Sequence, residues 1–175
     1  MNENVITNLK NVGFFKEAAT PQVIGIRSDM PLLRDILDKG LATVTTTEKN
    51  EILGRYVSLS GAANESARLQ LTVEEQAWLE AHPVVRGAAT TDWPPFEFKD
   101  AKGDYTGYAV DIFSLIVKRT GLKVETSFDT FQKLLDKVKN RELDILPILA
   151  QAPDREKYLV FTRPIFTSQE AIWVQ

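Results

Sequence analysis

The chain has 175 residues, 43% of them hydrophobic, with 21 Lys and Arg against 24 Asp and Glu, the composition of a globular protein with one ordinary core or two small ones. Its pI near 5.3 leaves no basic stripe to follow a phosphate backbone, and the lack of cysteine removes disulfides, thiolate metal sites and Cys nucleophiles, so nucleic acid is excluded as a partner. No apolar run approaches the roughly 18 residues of a membrane span, and Met1-Asn2-Glu3-Asn4 lacks a signal-peptide pattern, which leaves a cytoplasmic protein or an excised piece of a longer one.

Residues 23–27 form a short β-branched stretch, and Ser28-Asp29-Met30-Pro31 then offers a cap followed by Pro in the first helical turn. Leu33, Ile36, Leu37 and Leu41 share one face of the helix this predicts. A second helix starts at Thr45-Thr46-Thr47-Glu48, which has capping-box spacing, and carries Ile52, Leu53, Tyr56 and Val57 on its apolar side. Residues 58–66 are Gly, Ala, Ser and Asn without periodicity and mark a linker. Thr72 and Glu75 form another capping box, opening a short helix with Trp78 and Leu79 that Pro83 ends. The single histidine, His82, stands at that end and reads as a capping or solvated residue.

From residue 84 strands and helices alternate, which predicts a mainly parallel sheet with right-handed crossovers. Residues 84–90 and 122–126 are its first two strands, with a hairpin tipped by residues 99–104 between them, and a helix carrying Val110, Phe113, Ile116 and Val117 that stops at Gly121. Asp129 and Gln132 are positioned to cap the next helix, whose Phe131, Leu134, Leu135 and Val138 keep helical spacing. Residues 143–149 form a doubly buried strand, Pro153 opens a further short helix, and residues 169–175 form a last strand, from which the natural polypeptide is expected to continue.

Ligands in such sheets bind beyond the carboxyl ends of the parallel strands. Two loops satisfy that rule, Thr91-Asp92-Trp93-Pro94-Pro95-Phe96 and Ala150-Gln151-Ala152-Pro153-Asp154-Arg155. The first is the segment expected to touch a ligand: its prolines hold it extended, with Trp93 as an aromatic wall and Phe96 as core. Arg155, placed in the first turn of the helix from Pro153, either receives a carboxylate or pairs on the surface with Asp154 or Glu156. Paired acids, a Ser-His-Asp order, a phosphate-cradling Gly loop and metal-ligand spacing are all missing from the sequence, so neither catalysis nor a cofactor is expected.

Several segments stand in one familiar order: Asp92-Trp93-Pro94-Pro95-Phe96, Gly103-Asp104-Tyr105-Thr106-Gly107-Tyr108-Ala109-Val110-Asp111, Glu142-Leu143-Asp144-Ile145, Pro153-Asp154-Arg155 and Phe161-Thr162-Arg163-Pro164. Together they resemble family 3 of the bacterial extracytoplasmic solute-binding proteins, bilobed flytrap domains that bind polar amino acids. The helix around Leu71-Thr72-Val73-Glu74-Glu75-Gln76-Ala77-Trp78-Leu79 is similar to one that precedes each flytrap in tandem-flytrap sensor kinases.

The resemblance implies an α/β lobe of the type II periplasmic-binding-protein fold. Residues 1–59 would be the C-terminal tail of one flytrap (a strand and two helices), 60–83 a linker and short helix, and 84–175 the lobe 1 portion of the next. Tail and head would then make one lobe in circularly permuted order, with strand 23–27 joining the sheet of the C-terminal half in cis or in a strand-swapped or ordinary homodimer. The expected partners are an amino acid or small carboxylate, the missing lobe 2 and the neighbouring flytrap.

By position, the resemblance makes Trp93 and Phe131 opposing aromatic walls and Arg155 the carboxylate-gripping arginine, with Asp92, Ile148 and Ala150 beside them. Ile148 and Ala150 stand where amino-acid binders carry hydroxyls, Ala152 where threonine is common, and Thr90 where binders of cationic ligands carry an acid. The function implied is solute sensing in the periplasm, within a parent protein anchored in the inner membrane. The other readings are an amino-acid uptake binding protein and the regulatory flytrap of a lytic transglycosylase.

Overall fold

The computed structural model describes residues 10–14, 19–56, 69–168 and 171–174. The expected linker at 58–66 and Val57 lie outside them. Strand β1 (Lys10–Phe14) precedes β2 (Thr20–Arg27), after which helices α1 (Pro31–Ala42) and α2 (Thr46–Tyr56) complete the N-terminal part. Helix α3 (Val73–Ala81) leads to β3 (Val85–Ala89) and a small antiparallel sheet of β4 (Asp92–Trp93), β5 (Glu97–Lys99) and β6 (Tyr105–Thr106). Then come α4 (Tyr108–Thr120), β7 (Val124–Phe128), α5 (Phe131–Lys139) and β8 (Ile145–Ala150). The chain closes with β9 (Leu159–Phe161), β10 (Phe166–Ser168) and β11 (Ala171–Val174), of which β11 pairs antiparallel with β1.

The central sheet has six strands in the order β10-β2-β8-β3-β7, with β9 also paired to β2. Its core, β8-β3-β7, is parallel as the alternation of strands and helices requires, while β2 enters antiparallel to β8, β9 and β10. Strand 23–27 therefore does join the sheet of the C-terminal half, and it does so within the same chain.

Burial explains why β2 belongs there. Ile24 and Ile26 pack on one face with Leu33, Ile36 and Leu37 of α1 and Ile112 and Ile116 of α4, while Val23 packs on the other with Leu134, Leu135 and Val138 of α5 and Leu149 of β8. A strand buried on both faces needs two helical layers, and α1 and α4 on one side with α5 on the other provide them. Helix α2 docks through Ile52 and through Tyr56, whose hydroxyl donates to Asp111 at 2.7 Å. Lys39 of α1 reaches Glu75 of α3 at 2.6 Å, and Glu75 is also the N3 residue of the capping box opened by Thr72.

Local expectations hold where the signal is local. Both capping boxes form, Gly121 ends α4 with φ +74°, and His82 caps α3 while stacking on Trp78 at 4.0 Å between ring centroids. Residues 94–96, expected to be held extended, instead form a turn in which Phe96 N–H bonds the Trp93 carbonyl at 2.9 Å, and the Pro94-Pro95 peptide bond is cis.

Four further expectations are corrected. Met30, not Ser28 or Asp29, is the N-cap of α1, because Arg27 Nε takes the Asp29 carboxylate at 2.5 Å and Pro31 at the helix start leaves one fewer N–H to satisfy. The second parallel strand is residues 124–128 instead of 122–126, since the register that pairs Val85 with Val124 sets where a five-residue partner begins. Thr130 precedes α5 without a side-chain cap: Asp129 is held by Lys133 and Lys137, and Gln132 bonds Asp136 within the helix. Pro153 opens turns and no helix, as Arg155 N–H bonds Ala152 and Tyr158 N–H bonds Arg155, each three residues back, before Leu159 starts β9.

Candidate ligand-binding cleft

At the carboxyl ends of β3 and β8 lies a cleft of about 330 Å³, lined by Gln22, Thr90, Asp92, Trp93, Glu97, Phe131, Ile148, Leu149, Ala150 and Arg155. All six residues singled out from the sequence, Asp92, Trp93, Phe131, Ile148, Ala150 and Arg155, meet there. Its volume is at the lower end of the range for small-molecule sites.

The first loop divides its aromatic residues as their neighbours dictate. Phe96 stacks on Phe166 at 4.7 Å and joins the core, whereas Trp93 stays 37% exposed on the cleft rim. Phe131, at the start of α5, is 37% exposed. The guanidinium of Arg155 lies over its ring, 5.3 Å from the centroid, in cation–π geometry.

Arg155 donates from Nη1 to the carbonyl of Ala150 at 2.5 Å, while its Nε is buried with no hydrogen-bond partner among the described residues. Among the described residues it joins no ion pair, and Glu156 accepts instead from Gln151. The surface pair with Asp154 or Glu156 therefore does not form. Because residues 153–158 are turns, no helix starts at Pro153 to add its dipole beside Arg155, and the guanidinium itself is the charged group for anion recognition there.

Four lining residues were not among the six singled out from the sequence: Gln22, Glu97, Leu149 and Thr90, the last noted only as standing where binders of cationic ligands carry an acid. Glu97 is 4% exposed and accepts from the Thr90 amide and hydroxyl, both at 2.9 Å, and from the Tyr105 hydroxyl at 2.5 Å. Burial pushes its carboxyl above the ordinary glutamate value despite these hydrogen bonds, and the Asp92 charge adds to the rise. Burial likewise raises the Tyr105 hydroxyl, reinforced by Glu97. The readable signal for Glu97 was an acid following Phe96 on an inward hairpin strand. Gln22 had none, because only its strand partner brings it to the cleft. Among the described residues no group of acids and His has the makings of a metal site.

Comparisons with known proteins bear on the family and the fold. The virulence sensor protein BvgS of Bordetella bronchiseptica is 28% identical over 141 residues, covering 80% of this chain and 11% of that protein. The sensor protein EvgS of Escherichia coli is 23% identical over 145 residues, covering 81% of this chain and 12% of EvgS. The lysine/arginine/ornithine-binding periplasmic protein of E. coli is 27% identical over 121 residues, covering 69% of this chain and 42% of that protein. The crystal structure of the B. pertussis BvgS periplasmic domain matches with a TM-score of 0.51 at 31% identity, over 54% of this chain and 19% of that one. This chain thus spans only about a tenth of the length of the two sensors. The model of the bacterial extracellular solute-binding proteins, family 3, matches residues 85–175, and the chain belongs to that family.

Proposed function

We propose that this chain is a non-catalytic, solute-sensing part of a periplasmic signalling receptor, whose cleft takes a small carboxylate-bearing, amino-acid-like solute. The observation that carries this reading is Arg155: a guanidinium laid over Phe131, with a buried Nε that no described residue satisfies, in the same cleft as Trp93. A buried donor without a partner is costly, and a carboxylate satisfies it with a charge-assisted bond.

In this reading residues 1–59 are the tail of one flytrap and 84–175 the lobe 1 portion of the next. The BvgS match supports the order, since its 141 residues reach beyond 85–175 into the segment before it. Lobe 2 of the parent supplies the opposing wall, and closure of the lobes on solute shifts the output of a membrane-anchored parent. One lobe offers half of the enclosing contacts, so binding to this chain alone is weak. Calorimetry with a panel of amino acids and small carboxylates tests this: we expect millimolar affinity, reduced at least tenfold in Arg155→Met. Sub-micromolar binding to the isolated chain, or binding indifferent to Arg155→Met, would overturn the reading.

A further inference from the structure

The N-terminal strand brings to the lining of this cleft a second residue with an unsatisfied polar atom. Gln22 is 4% exposed, yet its Oε1 has no hydrogen-bond partner among the described residues. The orientation of its amide follows from the neighbouring hydroxyl. Ser168 Oγ donates its proton to the Thr20 carbonyl at 3.1 Å, so at 3.1 Å from Gln22 Nε2 it acts as acceptor. Gln22 must therefore point its NH2 at Ser168, which leaves the oxygen as the free group.

Topology explains how a residue from the opposite end of the chain reaches the ligand edge. Because β2 runs antiparallel to β8, its first residues meet the carboxyl end of β8, and the register sets Gln22 opposite Ala150. Strand order places Gln22 on one flank of β8 and Thr90 with Glu97, beyond the end of β3, on the other. Among the buried side-chain atoms of the described residues, the cleft residues thus carry one unsatisfied donor, Arg155 Nε, and one unsatisfied acceptor, Gln22 Oε1. The apolar part of the lining is Trp93, Phe131, Ile148, Leu149 and Ala150, and its acids are Asp92 and Glu97.

We infer that Gln22 is a specificity-determining residue that accepts a hydrogen bond from the ammonium of an α-amino acid with an aliphatic side chain, whose carboxylate is held by Arg155. This rests on the reading of the cleft as a solute site and deepens it. An acceptor-only oxygen selects a ligand that carries a donor, and a ligand without one leaves the oxygen buried and unpaired. Glu97, held as an acceptor by Thr90 and Tyr105, adds negative potential on the far flank that favours the same cation.

The test compares L-norleucine with hexanoate, which lacks only the amino group, by titrating each to high millimolar concentration into the full 175-residue chain. The readout is the NMR shifts of the Trp93 indole and the Gln22 side-chain amide. We expect norleucine to bind about tenfold more tightly than hexanoate, and Gln22→Met to remove that preference while hexanoate affinity stays unchanged, which also reports an intact fold. If Gln22→Met does not fold, Gln22→Glu, which keeps an acceptor oxygen, should retain the preference. Equal binding of the two probes by the parent chain, a preference surviving in Gln22→Met, or its loss in Gln22→Glu overturns the role of Gln22 and leaves the cleft standing. If neither probe shifts the Trp93 indole, the cleft reading fails and the inference falls with it.

Discussion

Arg27, at the end of β2, donates from Nη1 to Asp144 Oδ1 at 3.1 Å, joining the N-terminal strand to the entry of β8 across 117 residues of sequence. Arg86 of β3 grips the same carboxylate through its backbone N–H at 2.8 Å and through Nε and Nη2 at 3.0 and 2.7 Å. One 5% exposed carboxylate thus ties three adjacent strands at the end of the sheet away from the cleft.

Asp144→Asn should cost about 2–4 kcal/mol, because two guanidinium groups lose the charge that pairs them. Burial alone would push the Asp144 carboxyl up, but hydrogen bonds and charge from Arg86, then Arg27, outweigh it and hold it below the ordinary value. A depressed folded pKa gives stability that is present above the unfolded value of about 3.9 and lost as pH falls through the folded one. Urea unfolding from pH 7 to pH 2 should therefore show a shallower acid loss in Asp144→Asn than in the parent.

Glu97 should act with the opposite sign. Its pKa is raised by burial, so its contribution to stability is fully present below the unfolded value of about 4.3 and lost as pH rises through the folded value. A carbon-detected NMR titration of the Glu97 carboxyl should give a midpoint above that of a free glutamate, and one at or below it would refute the assignment of burial as the dominant cause.

Removal of residues 1–59 should abolish cooperative unfolding of the remainder. It strips Ile24, Ile26, Leu33, Ile36 and Leu37 from the larger core cluster and leaves the β8 edge unpaired. In the intact chain, Ile24→Ala, at a fully buried position, should cost about 2–5 kcal/mol. Circular dichroism under urea measures both.

Gly107→Ala should disturb the cleft from outside it. Gly107 has φ +139°, and a Cβ there would stand 2.2 Å from the Phe96 carbonyl oxygen, within the loop that carries Trp93. The expected cost is about 1–3 kcal/mol, read as a lower Tm together with a shifted Trp93 indole resonance.

Much of the fold was legible because its signals are local. Helical spacing at Leu33, Ile36, Leu37 and Leu41, the capping boxes at Thr45 and Thr72, the stop at Gly121 and the hairpin tip at residues 99–104 each follow from a few consecutive residues and their backbone preferences. The same reading set Trp93 and Arg155 on loops after buried strands, where such sheets open to solvent, and the family resemblance added Phe131. It misjudged Pro153, where three-residue turns replace the expected helix, and the capping at Ser28-Asp29 and Asp129, because a short polar side chain caps a helix only when no better partner reaches it. Here Arg27, Lys133 and Lys137 reach those carboxylates first.

What tertiary structure alone decided is which distant residues share a wall. The sequence by itself determined that residues 23–27 are a β-branched stretch, but not the register against β8 that sets Gln22 beside Ala150 at the cleft, 128 positions before it. It likewise determined that Arg155 stands after a buried strand, but not that its guanidinium would lie on Phe131 with one nitrogen unsatisfied. Backbone propensity and hydrophobic period act over one or two turns of chain. The partner of a buried polar atom is chosen by strand pairing and side-chain packing across the whole core, and the composition of this cleft is settled there.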